Sequence, residues 1–135
     1  MKKLRILVID DHAMEVEYIA SILRQAGHLV FAAFDGREGI RLAENMQPDL
    51  VLMDIIMPDL NGFQATRELH NNPETGHIPV IVVSSKDEEI DKLWAIKQGA
   101  RAYLEKGFTK EALLQTIDDV ISEQASGRPA GAGGK

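Results

Sequence analysis

"LRILVIDDHA", residues 4–13, is the stretch on which the fold turns. Six residues, apolar except for Arg5, run from Leu4 to Ile9 and end in two adjacent carboxylates, Asp10 and Asp11. A short run rich in Ile, Val and Leu, without polar alternation, reads as a strand covered on both faces. Its acidic end is a strand end, where side chains leave the core. Two neighbouring carboxylates repel each other and must be separated, solvated or bridged by a cation. Taken alone, the pair is explained equally well by Asp11 capping the next helix while Asp10 sits in water.

Outward from that strand, apolar runs and helical periods alternate. "HAMEVEYIASILRQAG" puts Val16, Ile19, Ala20, Leu23 and Ala26 on one helical face, and Gly27 stops it. "LVFAAF" (29–34) is a second strand, and Asp35 with Glu38 has the spacing of a capping box before the next helix. "DLVLMD" (49–54) is a third buried strand that also ends in an aspartate. The turn "MPDLNG" leads to the helix "FQATRELHNN"; "IPVIVVSS" (78–85) is a fourth strand, and Ser85 with Glu88 is read as a further capping box. A helix with Ile90, Leu93 and Ile96 on its core side stops at Gly99, and "RAYLE" is the fifth strand. The last helix carries Leu113, Leu114, Ile117, Val120 and Ile121 on one face. Five strands alternating with five helices imply α/β architecture: a doubly wound, five-stranded parallel sheet between two helical layers.

Composition narrows the function. At 135 residues with 44% hydrophobic and 27% charged side chains, the chain fits one globular domain. No cysteine is present, which removes disulfides, thiolate metal sites and cysteine nucleophiles. A net charge of −6 without a basic block argues against nucleic acid. "MKKLRILVI" is too short and too soon interrupted by Asp10 for a signal peptide, and no run approaches membrane-spanning length. A cytoplasmic location without membrane insertion is the expectation. Residues 1–125 read as the domain. The Gly-, Ala- and Pro-rich 126–135 read as a disordered tail or an expression remnant, too short for a covalent output domain.

In open α/β sheets, function gathers at the carboxyl ends of the strands. Asp10, Asp11, Asp54, Ser84 and Lys106 all fall there. With the first and third strands adjacent, three carboxylates converge and need a counter-charge. Oxygen ligands in a shallow site suit Mg2+, and Lys106 supplies a point charge for a phosphoryl oxygen. The assembly suits a phosphoryl group carried on Asp54.

"ILVIDDH", "LVLMDIIMPDLNG", "PVIVVSSKD" and "YLEKG", in this order and spacing, resemble the receiver domain of two-component response regulators, the CheY-like family, over about residues 4–123. The resemblance implies a flavodoxin-like three-layer sandwich. It implies Asp54 as phosphoacceptor, Asp10 and Asp11 as metal-site acids, and the backbone carbonyl of Ile56 as a further Mg2+ ligand. Ser84 would be the switch hydroxyl, Tyr103 the switch aromatic and Lys106 the phosphate-binding lysine. The donor would be a sensor histidine kinase of the CheA kind. Output would be non-covalent, through the face made by the fourth helix, fifth strand and fifth helix. Such a protein catalyses only its own phosphotransfer and dephosphorylation. "NGFQATREL" and "DKLWAIKQGARAYL" further resemble the PilH-like single-domain regulators of twitching motility. The chain departs from the family at Gly107, where a proline usually follows the lysine, and a trans Lys106–Gly107 bond is expected.

Simpler readings stand beside these. Ser84 at a strand end and Tyr103 in a strand are by themselves ordinary structural residues. Trp94 is either packing or a partner-face anchor. His12, His28, His70 and His77 show no metal spacing, so solvated or capping roles are expected for them. A flavodoxin-like cofactor binder would need a phosphate cradle where Asp10, Asp11 and His12 stand. A haloacid-dehalogenase-like phosphatase would need an aspartate at position 56, which is isoleucine. A receiver-like module that binds partners without being phosphorylated is the alternative left standing.

Overall fold

A computed structural model describes residues 2–125; the tail expected over 126–135 lies outside the described residues. The elements, in chain order, are β1 (Arg5–Ile9), α1 (Ala13–Gln25), β2 (Leu29–Ala33), α2 (Gly36–Met46), β3 (Leu50–Met53), α3 (Gly62–Asn71), β4 (Val80–Ser84), α4 (Glu89–Lys97), β5 (Ala102–Glu105) and α5 (Lys110–Ala125). All strands run parallel in the order β2-β1-β3-β4-β5. The winding reverses between β1 and β3, which places a crevice at their carboxyl ends.

Strand pleating explains the near-continuous apolar runs. In β1, Ile6 and Val8 face the layer of α1 and α5, packing with Ile19, Leu23, Leu113 and Ile117. Leu7 and Ile9 face the opposite side, with Ala43 of α2 and Ala65 and Leu69 of α3. A side chain on either face is therefore buried, and β1, β3 and β4 need no polar alternation. The edge strand β2 differs: Leu29 and Phe31 on one face are exposed, while Val30 and Ala32 on the other are half-buried against the layer of α1 and α5.

Two sequence expectations change on α4. Ile90, Leu93 and Ile96 were expected to form its core side, yet they are 62%, 59% and 47% exposed, and Ala95 is the buried residue of the helix. α4 covers only a small cluster of Ile55, Val82 and Ala100 flanked by Phe63 and Tyr103, and a methyl group is enough to fill that space. Trp94 is 47% exposed, on the side of a surface residue rather than a packing one. Nor does Ser85 cap the helix. The N-cap is Glu88, without a side-chain cap bond, because the chain between β4 and α4 takes a different path.

The β3–α3 connection is held firmly beside the strand ends. Asn61 and Gln64 form a reciprocal capping box, the Gln64 amide donating to Asn61 Oδ1 at 2.9 Å and the Asn61 amide to Gln64 Oε1 at 3.0 Å. Gly62 N donates to the Ile55 carbonyl at 2.8 Å. A Cβ on Gly62 would stand 2.0 Å from the Asp54 carbonyl oxygen and 2.7 Å from Ile55 Cα, so the helix start touches the backbone of the strand end. Gly62→Ala must push α3 off β3 and should cost about 3 kcal/mol, as overpacking against unyielding backbone does. Urea unfolding monitored by circular dichroism checks this; an unchanged midpoint would contradict the close approach.

Candidate functional site

Three backbone hydrogen bonds fix the acidic strand ends and the lysine. The Asp10 amide donates to the Ala33 carbonyl at 3.1 Å, the Asp54 amide to the Ile9 carbonyl at 2.9 Å, and the Lys106 amide to the Ser84 carbonyl at 2.8 Å. Each residue is thus the first beyond its strand and still tethered to the neighbouring one. Asp10 and Asp54 are 2% and 4% exposed, while Asp11 is partly exposed. The side chain of Lys106 reaches back over the sheet edge. Its Nζ lies 3.0 Å from Asp54 Oδ1 and 3.3 Å from Asp10 Oδ2, and it also donates to Glu15 Oε1.

Two contributors were not anticipated from the sequence. His12 was expected to be a solvated or capping residue. It does occupy the N-cap of α1, but its Nδ1 lies 3.1 Å from both Asp10 Oδ1 and Asp11 Oδ1. Asp10, Asp11, His12 and Asp54 each offer a ligand atom within 4.8 Å of the others. The only sequence signal for His12 was adjacency to the acid pair. Glu15, in the first turn of α1, carried none, because its contact with Lys106 spans 91 positions of sequence.

Ser84 is fully buried, and its Oγ accepts from the Lys86 amide at 3.2 Å. The Tyr103 ring packs against the cluster under α4, and its hydroxyl donates to the Lys86 carbonyl at 2.7 Å. Both residues thus hold Lys86 in the loop that leaves β4. Ile56, two residues beyond Asp54, points its side chain outward and is 54% exposed. The Lys106–Gly107 bond is trans as expected, and Gly107 has φ +94°, a left-handed conformation that glycine adopts without strain.

The charges are strongly coupled. Burial, with the Asp10 charge adding to it, pushes Asp54 up to about 6 against the opposing pull of Lys106. Burial alone would lower the Lys106 ammonium, but Glu15 and Asp54 more than reverse that and hold it above its usual value. The hydrogen bond from Lys106 keeps Glu15 below the usual carboxylate range. The Asp10 hydrogen bond, followed by the Asp11 charge, raises His12.

The donor set fits a hard divalent cation. Carboxylate oxygens of Asp10, Asp11 and Asp54 converge, and Asp54 Oδ2 is buried without a hydrogen-bond partner among the described residues. A buried carboxylate oxygen with nothing to bind is unfavourable unless a cation or a reacting group meets it.

A family model described as the response regulator receiver domain matches residues 6–118. Protein PilH of Pseudomonas aeruginosa is 50% identical over 118 residues, spanning 87% of this chain and 98% of that protein. The gliding motility regulatory protein of Myxococcus xanthus is 39% identical over 118 residues, which make up 15% of its length. A CheY-like receiver domain protein from Methanospirillum hungatei superposes with a TM-score of 0.85 at 27% identity, covering 93% of this chain and 98% of that one. The receiver domain of a Pseudomonas aeruginosa sensor histidine kinase, solved with magnesium coordinated in its active-site cleft, superposes at 0.82 with 28% identity, covering 90% and 99%.

Asp54 has a definite effect on stability against pH. It ionises near 3.8 in the unfolded chain and at about 6 in the folded one, so the folded state holds the proton more tightly. Its contribution is therefore favourable at low pH and is lost as the pH rises from about 4 to 6. In buffer free of divalent ions, Asp54→Asn should raise the melting temperature at pH 7.5 and flatten that part of the profile. Parallel profiles for the two proteins would show that the carboxylate is not burdened by burial.

Proposed function

The chain belongs to the response regulator receiver family, and from that membership we propose that Asp54 accepts a phosphoryl group from a phosphohistidine of a CheA-like sensor histidine kinase. One observation carries the reading: Lys106 Nζ lies 3.0 Å from Asp54 Oδ1, while Asp54 Oδ2 is buried without a hydrogen bond among the described residues. A carboxylate with one oxygen anchored by an ammonium and the other uncommitted is suited to in-line attack. The Asp54 oxygen forms the new O–P bond as the P–N bond to the donor imidazole breaks, and the ring departs with the electron pair. Lys106 neutralises charge on a phosphoryl oxygen. Asp10, Asp11, Asp54 and the Ile56 carbonyl would hold Mg2+, which when bound supplies the remaining positive charge for the phosphoryl oxygens.

Signalling would pass from Ser84 to the loop it shares with Tyr103. Both side chains bond Lys86, so a pull on Ser84 Oγ is felt where Tyr103 is anchored. The affected face is α4–β5–α5. Its exposed Ile90, Leu93 and Trp94 favour a protein partner there. Likeness to PilH, and to a gliding motility regulator, supports a role in type IV pilus twitching or related chemosensory motility, in the cytoplasm. No helix among the described residues is long and apolar enough to cross a membrane.

Incubation with acetyl phosphate or phosphoramidate, read as a mass increase of one phosphoryl group, tests the assignment. Uptake should need Mg2+ and disappear in Asp54→Asn; labelling that persists in the variant would move the acceptor to another residue, and a wild-type protein that takes up no label would favour a receiver-like module that binds partners without being phosphorylated. The outward apolar side chain of Ile56 can neither donate nor accept a hydrogen bond to an attacking water. The phosphorylated form should therefore decay slowly, and Ile56→Asn should change its lifetime several-fold. An identical decay would remove Ile56 from the hydrolytic step.

A further inference from the structure

Lys106 carries the contacts on which the site depends, yet the chain that follows it restrains its side chain little. It stands at the end of β5, and the following Gly107 is in a left-handed conformation with open space where a Cβ would be. A cavity of about 380 Å3 lies along its side chain, lined by Glu15, Tyr18, Ile19, Lys106, Gly107 and Phe108. A four-carbon stem beside a cavity, on a glycine loop, keeps rotamer freedom that the backbone does not restrict.

The ammonium has three donors, and three carboxylates face it. Asp10 and Asp54 approach from the buried side, their side chains 3% and 4% exposed. Glu15 approaches from the solvent side, with 44% of its side chain exposed. An acidic residue in the first turn of a helix is favoured by the helix dipole alone. That effect needs no contact with a lysine 91 positions away, and the Glu15 side chain makes one.

We propose that Glu15 is the positioning residue for Lys106, closing the outer side of the ammonium so that it stays at the phosphoryl-accepting oxygen instead of swinging into the adjacent cavity. Asp10 and Asp54 cannot do this alone. Both are themselves buried, and on the phosphoacceptor reading Asp54 changes its own charge distribution during transfer. Glu15 takes no part in bonding to phosphorus and makes no hydrogen bond to Ser84 or Tyr103 among the described residues. Its effect is therefore on where the lysine is.

The proposal rests on the phosphoacceptor reading only for its kinetic arm. Glu15→Ala removes the acceptor, and Glu15→Gln keeps an acceptor oxygen without the charge. With phosphoramidate and Mg2+, Glu15→Ala should lower the maximal phosphorylation rate about tenfold without raising the half-saturating donor concentration, as misplacement of a charge-stabilising group does. Glu15→Gln should recover most of that rate. Independently, 13C relaxation at the Lys106 Cε, assigned with Lys106→Arg, should show lower order in Glu15→Ala and near wild-type order in Glu15→Gln. Unchanged Lys106 order in Glu15→Ala overturns the proposal, and so does a wild-type maximal rate. A Glu15→Ala protein that instead loses Mg2+ affinity overturns it too, since Glu15 would then act through the metal site. A wild-type protein that takes up no phosphoryl group refutes the phosphoacceptor reading instead, and the relaxation comparison then decides the role of Glu15 by itself.

Discussion

Two carboxylates buried almost completely, Asp10 and Asp54, share one ammonium, and the arrangement of the carboxyl edge of the sheet follows from keeping that cluster tolerable. Unpaired charge in a low-dielectric setting is unfavourable by several kcal/mol at least, roughly, so each group must be met by a partner or give up its charge. The protein does both. Lys106 brings positive charge, the His12 ring lies against the acid pair, and Asp54 is displaced towards its neutral form. Among the described residues Asp54 Oδ2 is a buried oxygen of this cluster left without a hydrogen bond, and Asp11 Oδ1 is another; the first is where chemistry can happen.

The scaffold explains how so tense a cluster survives. β1, β3 and β4 are apolar on both faces, so the strand ends that carry Asp10 and Asp54 are positioned by the most deeply packed part of the molecule. Ladder-like backbone bonds continue one residue past the strands, which leaves the acidic residues little freedom to move apart. Packing strength falls off towards the β4–β5 side. There β5 is partly exposed and α4 rests on the sheet through Ala95. The deeply packed strands hold the charges, and the lightly attached α4 carries exposed Ile90, Leu93, Trp94 and Ile96. Those are the properties wanted in a fixed acceptor and in a face that can change.

Much of this was legible in the residues. The doubly wound sheet followed from apolar runs punctuated by helical periods, and Asp10, Asp11, Asp54 and Lys106 were legible because each closes a recognisable strand. The capping of α2 was half legible. Asp35 does accept from the Glu38 amide at 2.8 Å, but the Glu38 side chain reaches the Phe34 amide rather than that of Asp35. The packing of α4 was not legible, because the spacing of Ile90, Leu93 and Ile96 shows which residues are apolar without showing whether a surface exists to receive them.

Order along the chain by itself determined the strands, the helices, the parallel sheet and the identity of four charged strand-end residues. Those properties depend on local patterns of hydrophobicity and on where each strand stops. Only the tertiary structure decided that Glu15 and His12 join the site, that Tyr103 and Ser84 meet at Lys86, and that α4 turns its isoleucines outward. Each of these depends on distances between elements far apart in sequence, set by how helices of given bulk settle on a twisted sheet. Periodicity within one segment carries no information about that.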